Sequence, residues 1–135
     1  MKTLLGKIHL IVGLLALLIF LYTGYHMRYH IHHLMEASDR LRFSLRGNHI
    51  YILWSALLNL GVGTHLKVSA VRWRAALQSA GSLLILAAPI LVVLAFYYEP
   101  KTGLGRPVIF WAVVAALAGT ALHAISRLKD KTWGG

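Results

Sequence analysis

The sequence predicts an all-α, polytopic membrane four-helix bundle with an amphipathic interfacial segment after the first span. Two observations carry that prediction. Four stretches contain no Lys, Arg, Asp or Glu, namely 8–27, 47–66, 75–98 and 107–126. At about 1.5 Å of rise per residue, a helix of about 20 residues crosses a hydrocarbon core roughly 30 Å thick. The composition agrees, because 58% of the 135 residues are hydrophobic and only 13% are charged. A soluble chain of this size could not cover itself with so little polar surface. Outside the spans only 28–46 is long enough to hold structure, so the chain is read as one membrane domain, 1–135.

The first span follows Lys2 and Lys7 and ends in Tyr22-Thr23-Gly24-Tyr25-His26. It is longer than the apolar core of a signal peptide and lacks a small-residue cleavage site, which predicts a retained helix. His9, Gly13 and Ala16 share one side of it, and small residues on one side mark a helix contact in membranes.

The connection 28–46 is expected to be interfacial or extracytoplasmic. If the first helix continues past the bilayer, His26, His30 and His33 stand at i, i+4 and i+7 on one face, a spacing that can gather imidazoles on Zn or Cu. Met27, Ile31, Leu34, Leu41 and Leu45 form a neighbouring apolar stripe, and Glu36 with Arg40 makes an i,i+4 pair, which together describe an amphipathic segment. The bland alternative is a His-rich contact with headgroups.

The second span carries Asn59, expected to join helices by hydrogen bonds, and His65 on a face with Trp54, Leu58 and Gly61. The third contains Ser79, Ser82 and Pro89; proline is tolerated in membrane helices and Ser bonds readily to its own backbone. At its exit stands Glu99, with Arg106, Arg28 and Arg46 as candidate partners. The fourth begins at Pro107 and lines Ala112, Ala116, Gly119 and His123 along one side.

His9, His65 and His123 all lie near one end of their spans. Two imidazoles at equal depth on different helices can ligate a b-type haem. The competing reading has each neutral ring bonded to a hydroxyl, amide or carbonyl such as Thr64, Thr120 or Asn59, and it is favoured because polar groups near the interface cost little.

Orientation follows from the basic residues. With four spans, both termini and the middle loop share eight of the fourteen Lys and Arg, against six on the opposite face. The positive-inside rule then puts both termini in the cytoplasm, in a setting expected to be a bacterial inner membrane. All six tyrosines fall near the opposite face, as an interfacial belt would place them. The net charge of +10 reads as topology and headgroup contact, with no separate basic domain for nucleic acid.

No cysteine is present, which excludes disulfides, thiol nucleophiles and Cys-ligated metal. The spans contain no acid or Arg, which argues against proton pumping and voltage sensing. No nucleophile–base pair or paired carboxylates emerge, so the sequence leans away from an enzyme. The expected role is an accessory or scaffold subunit in a membrane assembly, in contact with the lipid bilayer and with a membrane protein partner or further copies of itself. The alternative is an electron-transfer protein holding haem b or Zn/Cu.

Overall fold

A computed structural model describes residues 3–30, 38–102 and 105–128. It is a four-helix bundle: α1 (Leu4–Tyr29), α2 (Asp39–His65), α3 (Arg72–Thr102) and α4 (Pro107–Arg127). Each helix runs past the uncharged stretch that marked it at one end or both, because backbone hydrogen bonding continues where charged side chains reach water. Starts are set by local chemistry. The Thr3 hydroxyl accepts from Gly6 N at 3.2 Å and the Ser38 hydroxyl from Leu41 N at 3.4 Å, which satisfies amides left open at a helix N-terminus. Pro107 opens α4, where its missing N–H costs nothing.

Among the described residues, three helices are long and apolar enough to cross a membrane: α1, α3 and α4. The expected fourth, α2, is as long as α1 but less apolar, because its first two turns carry Asp39, Arg40, Arg42 and Arg46 and its inner face carries uncharged polar residues. Ser44, Asn48, Ser55 and Asn59 are all buried there, with Leu45, Ile52, Ala56 and Gly63 beside them. Phe43, Ile50 and Leu57 face outward. The uncharged polar residues of α2 are thus turned into the bundle, while Asp39, Arg40 and Arg46 in its first two turns are exposed.

The segment expected after the first span is divided between two helices. Residues up to Tyr29 continue α1, and Asp39 to Arg46 form the first two turns of α2 without a break. Residues 31–37 lie outside the described residues.

Consecutive helices pack side by side, with the α1–α2 and α3–α4 pairs the most extensive and α2 against α3 between them. Glycines allow the two outer pairs to close. A Cβ on Gly63 would stand 2.9 Å from the Gly6 carbonyl oxygen, and one on Gly13 would stand 2.9 Å from the Leu60 nitrogen. Between α3 and α4 a Cβ on Gly81 would come within 2.7 Å of Gly119 O, and one on Gly119 within 2.6 Å of Gly81 O. Direct backbone contact of this kind is how membrane helices gain dispersion energy where lipid gives no hydrophobic drive. Toward the α1 C-terminal end the core is larger, built from Leu45, Ile52, Val92, Ala95, Phe96, Ile109 and Ala112. At the opposite end Gln78 ties the short α2–α3 connection to α3, accepting from Ser69 N at 2.8 Å and donating to Lys67 O at 3.2 Å.

Candidate functional site

The polar interior of the bundle falls into three groups, and α2 contributes a side chain to each. The first is the pair His9 and Asn59, both fully buried. Asn59 Nδ2 donates to Ser55 O at 2.9 Å and to Ile85 O at 3.2 Å, so its amide orientation is fixed by two carbonyls. Its Oδ1 faces His9 Nδ1 at 2.8 Å and can only accept. His9 therefore carries a hydrogen on Nδ1, and in the neutral ring Nε2 presents a lone pair. That atom is buried and has no hydrogen-bond partner.

His123 enters the same layer from α4. Its Nε2 lies 3.1 Å from the Ser82 hydroxyl of α3, close to the Gly81–Gly119 contact. His9 and His123 both lie at the end of the bundle where α1 begins and α4 ends, each engaged by a polar partner from an adjacent helix. Asn59 as the partner of His9 agrees with the hydrogen-bonding reading of the sequence; Ser82 bonds to His123 instead of its own helix.

His65 does not join them inside. It is exposed, with Nδ1 2.7 Å from the Thr64 hydroxyl and 3.1 Å from Gly61 O. The buried side of α2 runs through Ser55, Asn59 and Gly63, and this turns the expected Gly61–His65 face outward. His65 still shares a groove with His123, on the outer side of the bundle.

Of the proposed metal-ligating residues, His26 and His30 are described and His33 lies outside the described residues. The two rings stack, with centroids 5.1 Å apart and planes at 12°. Imidazole lone pairs lie in the ring plane, so stacked rings do not converge on one ion; capture needs a rotation about the side-chain bonds. No group of three or more His, Asp or Glu gathers at metal-binding spacing among the described residues.

Two groups lie at the opposite end, of which the sequence reading missed the first and, in the second, the part played by Asn48. His49 stacks on Phe20, with centroids 4.2 Å apart, and its Nδ1 lies 3.0 Å from the Thr23 hydroxyl. Thr23 donates to Phe20 O at 3.0 Å, which leaves its oxygen to accept from His49. The signal available was an unpaired His one residue after Asn48, on the same face as Thr23 once the helices are antiparallel. The second group surrounds Glu99, which is almost completely buried. Glu99 Oε1 accepts from Val108 N at 2.8 Å and Ile109 N at 3.0 Å, so it caps α4 from the end of α3. Its Oε2 accepts from Asn48 Nδ2 at 3.3 Å and lies 3.9 Å from Arg106 Nε. Asn48 Nδ2 also donates to Ala95 O at 2.9 Å, and its Oδ1 accepts from Arg106. Among the candidate partners of Glu99, the pairing falls to Arg106.

Tyr22, Tyr25, Tyr29, Tyr97 and Tyr98 are exposed at that same end. No family model matches the chain, and no curated protein or solved structure is significantly similar to it.

Proposed function

We propose that this chain is a non-enzymatic, four-span membrane protein that serves as an accessory or scaffold subunit of a membrane assembly. The observation that carries the reading is the use made of the buried polar side chains. Asn48, Asn59, Ser82, Glu99 and Arg106 are spent on bonds between helices. Interhelical hydrogen bonds of this kind hold a bundle together in lipid. The lateral surface presents Leu14, Leu18, Leu83, Ile90, Trp111 and Leu117 to lipid or to a neighbouring membrane protein. With the polar face of α2 inward and Phe43, Ile50 and Leu57 outward, α2 suits a fourth span whose polarity is shielded by its neighbours. Both termini then share the cytoplasmic face of what we take to be a bacterial inner membrane.

A second reading rests on one atom. The Nε2 lone pair of His9 is buried and unpartnered while Nδ1–H is anchored on an amide oxygen, the arrangement in which a protein orients an imidazole for ligation. Paired with His123, it would hold a b-type haem, which supplies one-electron chemistry when bound. His123 has its Nε2 on Ser82 and would have to release it. The looser set His26, His30 and His33 is the corresponding candidate for Zn or Cu.

One preparation separates these readings. Extracted from native membranes in mild detergent, a scaffold subunit migrates in a particle of fixed stoichiometry with a partner or further copies, and gives no haem band in a reduced-minus-oxidised spectrum. A monomer carrying such a band, lost in His9→Ala, overturns the scaffold reading and establishes the second.

A further inference from the structure

Where α2 and α4 end on the same side of the bundle, an open groove of about 460 Å³ runs between them. Its lining changes with depth. His65, His123 and Arg127 stand toward the mouth, while Leu57, Leu58 and Gly61 line the part nearer the bundle's middle. Leu57 is two turns of α2 from His65, roughly 12 Å along the axis. A groove that is cationic at the membrane surface and apolar below it matches a molecule with a charged head and a hydrocarbon tail.

Three further observations fix the sign and shape of that molecule. First, Arg127 Nη2 donates to His65 O at 2.7 Å, which draws the guanidinium across the groove mouth. A guanidinium has five N–H donors, so most remain for an anion. Second, the same end carries Lys7, Lys67, Arg72 and Arg74, and no Asp or Glu is found there among the described residues. Third, a Cβ built on Gly61 meets nothing within 4 Å, so the groove floor is open where a chain would lie.

We propose that this groove is a binding site for one anionic glycerophospholipid, its phosphate on Arg127 beside His65 and one acyl chain along Leu58, Gly61 and Leu57. Basic pockets between helices on the positively charged face of a membrane protein bind anionic headgroups by this chemistry. The proposal does not rest on the scaffold or haem reading, since neither uses Arg127 or Gly61, although His123, which a haem would take, lines the same groove.

The test uses the full chain, stripped of lipid in detergent and offered phosphatidylglycerol and phosphatidylcholine with identical acyl chains, with bound lipid counted by native mass spectrometry. The expected result is preferential retention of phosphatidylglycerol. Arg127→Gln should lower its affinity about fivefold, in line with the weight of one basic residue at an anionic surface, and Arg127→Lys should keep most of it. Gly61→Leu puts a side chain on the floor at a position where a Cβ meets nothing within 4 Å and it favours the helix, so it should fold and lose the lipid. Free inorganic phosphate should not displace the lipid, because the acyl chain supplies part of the binding. Equal retention of both lipids, unchanged binding in Gly61→Leu, or full displacement by inorganic phosphate would each overturn the proposal. So would photo-crosslinking from position 57 that captures a protein helix instead of lipid.

Discussion

His9 of α1 and Asn59 of α2 meet 2.8 Å apart in the interior of the bundle, where both side chains are shut off from the surface. The bond couples two helices, and Asn59 extends the connection to α3 through Ile85 O at 3.2 Å. One amide therefore holds three helices in register.

A double-mutant cycle measures what that pair contributes. His9→Leu and Asn59→Leu should each destabilise the bundle, and their effects should couple by about 0.6–1.7 kcal/mol, the range for hydrogen bonds between membrane helices. Asn59→Leu should cost more than His9→Leu because it also abandons two carbonyls. Reversible unfolding in mixed micelles gives the energies. Strict additivity would mean that the two side chains do not interact.

Much of this framework could be read in the residues. Charge-free stretches located all four helices, because a charged side chain is expelled from the apolar zone whatever the tertiary structure. Gly13, Ala16, Ala112, Ala116 and Gly119 marked buried faces, since small residues recur where backbones touch, and all five are buried. Asn59 was legible for the same reason of cost: an amide in a span needs partners. The inner polar face of α2 was harder to see. Ser44, Asn48, Ser55 and Asn59 repeat at helical spacing, but only the packing reveals that this face, and not the one ending in His65, turns inward. His49 with Thr23, and Ser82 with His123, join residues 26 and 41 positions apart. Such pairings depend on which helices are neighbours and at what height, and no single-helix pattern contains that information.

The two glycine contacts and the open glycine predict a graded series. Gly119→Ala places a methyl group 2.6 Å from the Gly81 carbonyl oxygen, where both elements are backbone and neither yields without separating α3 from α4. A loss of about 1–3 kcal/mol is expected, as for overpacked cores. Gly61→Ala adds the same methyl to empty space and should stabilise by up to about 1 kcal/mol through helix propensity. The same micelle unfolding assay ranks them. A neutral Gly119→Ala would show that the helices do not approach as closely as described.

Glu99 and Arg106 predict an asymmetry. The Glu99 carboxylate serves Arg106, Asn48 and two amides of α4, whereas Arg106 is partly exposed and can turn to water. Glu99→Ala should therefore destabilise more than Arg106→Ala, by about 1–3 kcal/mol, since it leaves buried N–H groups without an acceptor. Glu99→Gln should fall between them, because the amide oxygen can still cap α4. Amide hydrogen exchange offers a local check: Val108 and Ile109 should lose protection in Glu99→Ala and keep it in Arg106→Ala.

The status of α2 decides how the whole chain is threaded, and the absence of native cysteine makes it measurable. If α2 crosses the bilayer, its two ends lie on opposite faces, and the termini of the chain share a side. If α2 stays at one surface, its ends lie together and the termini are opposed. Asp39 is exposed at the start of α2 and Ala70 is exposed just beyond its end, so a cysteine at either position is open to reagent. A helix of 27 residues is about 40 Å long, ample for a hydrocarbon core of about 30 Å. A membrane-impermeant maleimide added to intact cells should label Asp39→Cys and not Ala70→Cys, with the second labelled only after permeabilisation. Labelling of both from outside would remove α2 from the membrane-crossing set. Labelling of Ala70→Cys alone would keep four spans and invert them, placing the cationic groove of His65 and Arg127 on the outer face and contradicting the basic-residue bias that orients the chain.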